Sequence, residues 1–276
     1  MRNIGIILAF VFFFTAPLLA QEGDVEAVAD TLITNIDENR ALDGSTIDIS
    51  KTAADSAYMA EQYTKAIDIY EQLLKKGVSH EIYYNLGNSY YKKENIAKAL
   101  LNYERAVLLS PNNRDYKANL EIARLKTVDK YEPTPELFFI SWAKSIVNWM
   151  SSDQWAITSI TLFILGLVAL GFFFLTKQPL IKRIAMVATF VMLLSVPVTN
   201  YCASYQKKKI NNKDTAIVME PSVTVRSTPS ETGTTLFVIH EGKKVNITDA
   251  SMTEWLEIEL ENGEVGWLPK NSIEVI

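Results

Sequence analysis

Side chains able to do covalent or metal chemistry are scarce and scattered in this sequence. Cys202 is the only cysteine, so an intramolecular disulfide is excluded. The two histidines, His80 and His240, stand far apart, which leaves little material for a His/Cys zinc cluster. Phosphate-binding loops, dinucleotide fingerprints, nucleophile elbows and HExxH are all missing. Net charge is −5 over 276 residues, without a strongly basic patch, which argues against nucleic acid. No enzyme constellation and no cofactor is therefore expected. The remaining chemistry is recognition: amides such as Asn85, Asn88 and Asn119, which can donate to and accept from a peptide backbone, and tryptophans near glycines and prolines at the C-terminal end.

Asn85 and Asn88 lie in YYNLGNSYYKKENIAKALLNYERAVLLSP, residues 83–111. Ala66 and Tyr70 recur as Ala99 and Tyr103, 33 residues later, a period that calls for a helical solenoid. Tyr83, Leu86, Gly87 and Tyr90 belong to a first helix, Ala99, Tyr103 and Ala106 to a second, and Pro111 closes the unit. Gly87 and Ala99 are small because two antiparallel helices approach there. This stretch resembles a tetratricopeptide repeat. An earlier unit uses Ala54, Tyr63, Ala66 and Tyr70, with Ala57 where an aromatic is usual and Leu73 where a small residue is usual. Asp115–Val128 supplies one further helix as a cap, so residues 51–130 make two repeats and a cap, close to the minimum for a stable stack. The repeat's geometry implies a concave partner-binding groove lined by Glu81, Tyr84, Asn85, Asn88 and Tyr91, with Asn119 and Arg124 beside it. The competing reading is that these polar side chains are simply solvated.

Hydropathy then sets where this unit sits. Residues 1–20, MRNIGIILAFVFFFTAPLLA, have the plan of a secretory signal, and a cleaved signal or an uncleaved anchor would both export the chain beyond Gln21. Residues 21–50 form an acidic segment with a helical pattern over 25–36. After a Pro-rich linker beginning at Tyr131, residues 137–150 read either as an amphipathic helix on the membrane surface or as a globular helix against the repeats; this linker and helix occupy 131–154. Ser151 with Gln154 looks like a capping box. Residues 155–175 and 184–204 are uncharged runs long enough to cross the ~30 Å hydrocarbon core. A cytoplasmic loop at 176–183 joins them, and a basic linker occupies 205–214. The two spans return the chain to the side it came from, so both soluble regions are expected on the periplasmic face of the inner membrane.

Residues 215–276 change to short β-branched runs separated by turns: AIVME, VTVRS, LFVIH, KKVNIT, EWLEIEL and EVGWLP, five or six strands of a small barrel. Val223-x-Val225-Arg226-Ser227-x-Pro229, Glu241-Gly242-x-x-Val245, Trp255-x-x-Ile258 and Gly263-x-x-Gly266-Trp267-Leu268 occur in order, and the module resembles a bacterial SH3 (SH3b) domain. The resemblance implies a non-catalytic binding unit with Trp255, Trp267 and Pro269 as ligand-surface residues; core and turn duty is their alternative role. The fold class is therefore a multidomain membrane protein with an α-helical tetratricopeptide solenoid, a two-helix transmembrane hairpin and a small all-β SH3-like barrel.

In that order the modules resemble the BatE family of Bacteroides aerotolerance (Bat) operon proteins. The resemblance implies a membrane scaffold acting with von Willebrand A-domain Bat proteins and a MoxR-type ATPase in oxygen or envelope stress tolerance. An envelope-anchoring protein that binds peptidoglycan through the barrel is the alternative.

Overall fold

The computed structural model describes residues 48–130 and 137–276. The export signal at 1–20, the helix at 25–36 and the linker at 131–136 lie outside the described residues. Residues 49–276 make one unit by contact.

Its first layer is five antiparallel helices: α1 (Lys51–Met59), α2 (Tyr63–Lys76), α3 (His80–Lys92), α4 (Ile96–Leu109) and α5 (Arg114–Arg124). Caps fall where short polar side chains permit: Ser50 accepts from the Ala53 amide, Asn95 from that of Lys98, and Asn113 from those of Asp115 and Tyr116. The core comprises Ala54, Ala66, Ile69, Tyr70, Leu86, Tyr90, Ala99, Leu100, Tyr103, Leu120 and Ala123. Gly87 is glycine for a concrete reason. A Cβ there would lie 2.7 Å from Cδ1 of Tyr103, so the tyrosine ring occupies the space a side chain would need.

A short helix α6 (Phe138–Val147) precedes two long ones, α7 (Ser152–Leu175) and α8 (Pro179–Asn211). The Ser151/Gln154 capping box is present at the start of α7. Both long helices have the length and composition to cross a membrane. Apolar side chains such as Ile157, Phe163, Ile164, Val187, Phe190 and Val191 face outward along them. A soluble protein's core helix would bury these residues, whereas lipid would cover them. The pair is fastened at the end away from the Thr176–Gln178 turn. Asn200 donates to Ser159 Oγ at 2.7 Å, Ser152 Oγ to the Ala203 carbonyl, and Trp155 Nε1 to the Val147 carbonyl at 2.9 Å. Gln206, fully buried, donates to the Val147 carbonyl and to Asn148.

Two expected boundaries are corrected here. The loop at 176–183 is only Thr176–Gln178, because Pro179 occupies the first helical turn, where its fixed φ and missing N–H cost nothing. The basic linker at 205–214 is helical as far as Asn211, since Gln and Lys are good helix formers and Gln206 is anchored. The helix runs through Pro197 and measures ~50 Å at 1.5 Å per residue, well beyond the ~30 Å hydrocarbon core.

The C-terminal module is a seven-stranded antiparallel sheet in the order β3-β2-β6-β5-β4-β1-β7. The strands are β1 (Thr215–Val218), β2 (Ser222–Arg226), β3 (Thr235–His240), β4 (Lys244–Asp249), β5 (Trp255–Glu259), β6 (Val265–Pro269) and β7 (Ile273–Val275). Sequence reading missed β7, which closes on β1 after a 3-10 turn at Lys270–Ser272. Its three-residue alternation is too short to stand out. The Asn262-Gly263 turn places only Gly263 at positive φ (+86°), with the Gly263 amide bonded to the Leu260 carbonyl. This is a type I turn closed by a left-handed glycine. The barrel core is Ala216, Val218, Val223, Val225, Ile239, Val245, Leu256, Ile258 and Leu268.

Candidate functional site

The residues expected in the groove come from α3 and α5, and most are already bonded to their neighbours. Glu81, exposed, pairs with Lys51 of α1 at 2.7 Å, and this hydrogen bond holds the carboxyl below its ordinary range. Asn85 Nδ2 donates to Asp55 at 3.1 Å, and the same carboxylate oxygen accepts from Tyr70 at 2.5 Å. Burial first, then this bond to Asp55, raises the Tyr70 phenol far above its usual range. Asn119 Nδ2 donates both to Tyr84 Oη at 2.8 Å and to Asn88 Oδ1 at 3.0 Å, while Tyr103 Oη donates to that same Asn88 oxygen at 2.7 Å. The Tyr84 ring lies 4.5 Å from that of Tyr116, centroid to centroid. Lys126 Nζ sits 4.4 Å over the ring of Tyr91.

This network uses only half of each amide. Among the described bonds, Asn85 and Asn119 keep their Oδ1 acceptors, and Asn88 keeps its Nδ2 donor. A row that presents acceptor, donor and acceptor can bond the alternating groups of an extended backbone. Fixing the side chains beforehand lowers the entropy cost of doing so.

Arg124 takes a different place from the one expected. Its Nη2 donates to Glu104 Oε1 at 2.5 Å and its Nη1 to Glu121 at 2.7 Å. Glu104, on α4, is buried, and its other oxygen accepts from Lys244 of β4 at 2.7 Å. Arg124 is thus drawn into the seam between the repeats and the barrel. That seam is extensive. Arg105 donates to Glu274 and to the Val275 carbonyl, the latter at 2.6 Å. The His240 amide donates to Asp129 at 2.7 Å, and its ring Nδ1 lies 3.0 Å from the second oxygen of that carboxylate. Lys243 donates to the Lys130 carbonyl. Gly242, at φ +83°, packs tightly on the repeats: a Cβ would meet Thr127 at 2.7 Å and Leu100 at 2.8 Å. Burial alone would push the Glu104 carboxyl up, but Lys244 and Arg124 outweigh it and hold the group below its ordinary value. Sequence reasoning missed this seam. One signal was available, a carboxylate in the middle of the apolar run ALLNYERAVLL.

On the barrel, Trp255 pairs with Pro269 and Glu257 with Trp267 across β5 and β6, while Arg226 of β2 pairs with Trp267 from the other side. Cross-strand partners share a face. These five residues therefore occupy the outer face, and Leu256, Leu268 and Ile258 occupy the core face. Gly266 belongs to the core face, where a Cβ would lie 2.5 Å from Val225, so the adjacent Trp267 points outward. Both tryptophans are half-buried and outside the core cluster. Glu257 is held by Thr248 at 2.9 Å.

These two surfaces have matching descriptions among known families. The tetratricopeptide repeat family matches residues 80–113, which contain α3 and α4. The bacterial SH3 domain family matches residues 221–274. No curated protein matches the chain. The protein therefore carries a tetratricopeptide repeat and a bacterial SH3 domain, with two helices of membrane-spanning length between them.

Proposed function

We propose that the protein is a non-enzymatic, membrane-held adaptor whose repeats and SH3b barrel act together as one binding head. The observation that carries this reading is the docking of the barrel on α4, the second helix of the matched repeat. The barrel is fixed there through Glu104, Arg105, Asp129 and Gly242. The amide row of α3 and α5 and the tryptophan face of the barrel are thereby held in a constant relation, as a two-point adaptor needs. The direct contact between the modules requires that they share one side of the membrane, and the export signal read at residues 1–20 supports the periplasmic side. The module order supports a Bat-type assembly, with von Willebrand A-domain proteins and a MoxR-type ATPase system as partners in oxygen or envelope stress tolerance.

The test is crosslinking of the full chain in native membranes, coupled to mass spectrometry. Asn88→Ala with Tyr91→Ala is expected to remove one set of crosslinked proteins, and Trp255→Ala with Trp267→Ala another. Unchanged capture by both pairs would refute the assignment. Trp255, Trp267 and Pro269 on one face also support a second reading, in which the barrel holds peptidoglycan. Co-sedimentation of the full chain with purified peptidoglycan, lost in the tryptophan pair, is the result expected on that reading, and absence of co-sedimentation sinks it.

A further inference from the structure

A cavity of about 650 Å³ lies where the end of α8 meets the repeats and the barrel. One wall is a single stripe of α8, capped by Asn212. Tyr201, Tyr205, Lys208 and Lys209 recur at three-, four- and seven-residue spacing, so they share a helical face. The opposite face of the same turns carries Cys202, Ala203 and Gln206, which are buried. The other walls are Val107 and Leu108 of α4 and Lys244 of β4, with Glu104 between them.

Depth is set by the uncharged run that ends at Ser204. Lys208 and Lys209 come four and five residues later, a rise of about 6 to 8 Å, which is the headgroup layer rather than the hydrocarbon. Tyr201 and Tyr205 sit at the boundary itself, where a ring with one polar end is favoured. Lys208, Lys209 and Lys244 line the space with Glu104, Asp214 and Ile276, and Glu104 is already held by Arg124 and Lys244. Among the described residues, Lys208 and Lys209 have no carboxylate within ion-pair distance. Unpaired cations beside tyrosine hydroxyls and two aliphatic side chains suit a phosphate attached to an apolar tail.

We propose that this cavity binds the phosphate of an anionic phospholipid through Lys208, Lys209 and the Tyr205 hydroxyl, with the acyl chains continuing down the Tyr201 side of α8. A bound lipid would then brace the repeat–barrel head against the bilayer surface.

The experiment uses the full chain purified in detergent, with phosphatidylglycerol or phosphatidylcholine added and occupancy read by native mass spectrometry. Phosphatidylglycerol is expected to remain bound at least about tenfold better than phosphatidylcholine. Lys208→Gln with Lys209→Gln should abolish that preference, and Lys208→Arg with Lys209→Arg should keep it, since charge rather than shape is required. Lys207→Gln with Lys213→Gln removes the same charge outside the cavity and should leave the preference intact. An equal loss in both glutamine pairs would show diffuse attraction and overturn the site, as would no loss in either. A third arm offers inorganic phosphate without lipid. Saturable binding that disappears in the Lys208/Lys209 glutamine pair would move the source to a soluble phosphate and overturn the lipid assignment.

Discussion

Replacing Glu104 with alanine should undock the barrel from the repeats without unfolding either. The carboxylate is buried and uses both oxygens, one on Arg124 at 2.5 Å and one on Lys244 at 2.7 Å. Removing it strips Lys244 and one side of the Arg124 guanidinium of their partner while Arg124 keeps Glu121, and losing one member of a fully buried pair costs about 3–5 kcal/mol. Arg124 and Lys244 keep 17% and 30% of their side-chain surface, so water screens part of the loss and about 2–3 kcal/mol is expected. The reporter is the backbone amide of His240, which donates to Asp129 across the seam. Its hydrogen exchange should accelerate roughly 30- to 150-fold. The amide of Ile258, in the barrel core, should keep its protection, which separates undocking from unfolding. Lys244→Ala leaves Arg124 on Glu104 and should cost only about 1 kcal/mol, and the double variant should fall short of the sum by about 1 kcal/mol or more. Exchange at His240 within twofold of the parent in Glu104→Ala would refute the claim that this carboxylate holds the seam.

The same geometry sets four further outcomes. Because the docked pKa of Glu104 is lowered from 4.5, its contribution is fully present above pH 4.5 and lost as pH falls through the docked value. His240 exchange corrected for intrinsic rate should therefore rise below pH 4.5. Glu261 has the opposite sign: burial raises its pKa against the pull of Lys243 and Arg124, and its Oε2 has no partner among the described residues. Glu261→Gln should thus leave neutral-pH stability unchanged or improved in a thermal melt, and a clear loss would contradict the reading. Gly87→Ala forces a Cβ to within 2.7 Å of the Tyr103 ring. It should cost about 1–3 kcal/mol, read as a lower melting temperature of the helical signal. Asn200→Leu removes the 2.7 Å bond to Ser159 between α7 and α8 and should weaken the hairpin by about 0.6 kcal/mol in a detergent unfolding series.

The sequence alone determined the parts of this protein whose signals are local. A helical repeat betrays itself by period, a membrane-length helix by an uninterrupted apolar run, and a small barrel by alternation and turn glycines. Helix ends were also legible where a cap is a side chain three residues from its amide, as with Ser151 and Gln154. The amides of the groove could be named, but not the fact that half of each is spent on Asp55, Tyr84 and Tyr103, since that depends on which helices lie side by side. Only tertiary structure decided that α8 continues to Asn211, because its last turns are held by Gln206 against residues 58 and 59 positions earlier in the chain. The seam is the extreme case. Glu104 and Lys244 are 140 residues apart, and nothing in either neighbourhood names the other. A buried charge is costly alone and tolerable when paired, so its meaning appears only once the chain has brought its partner to it.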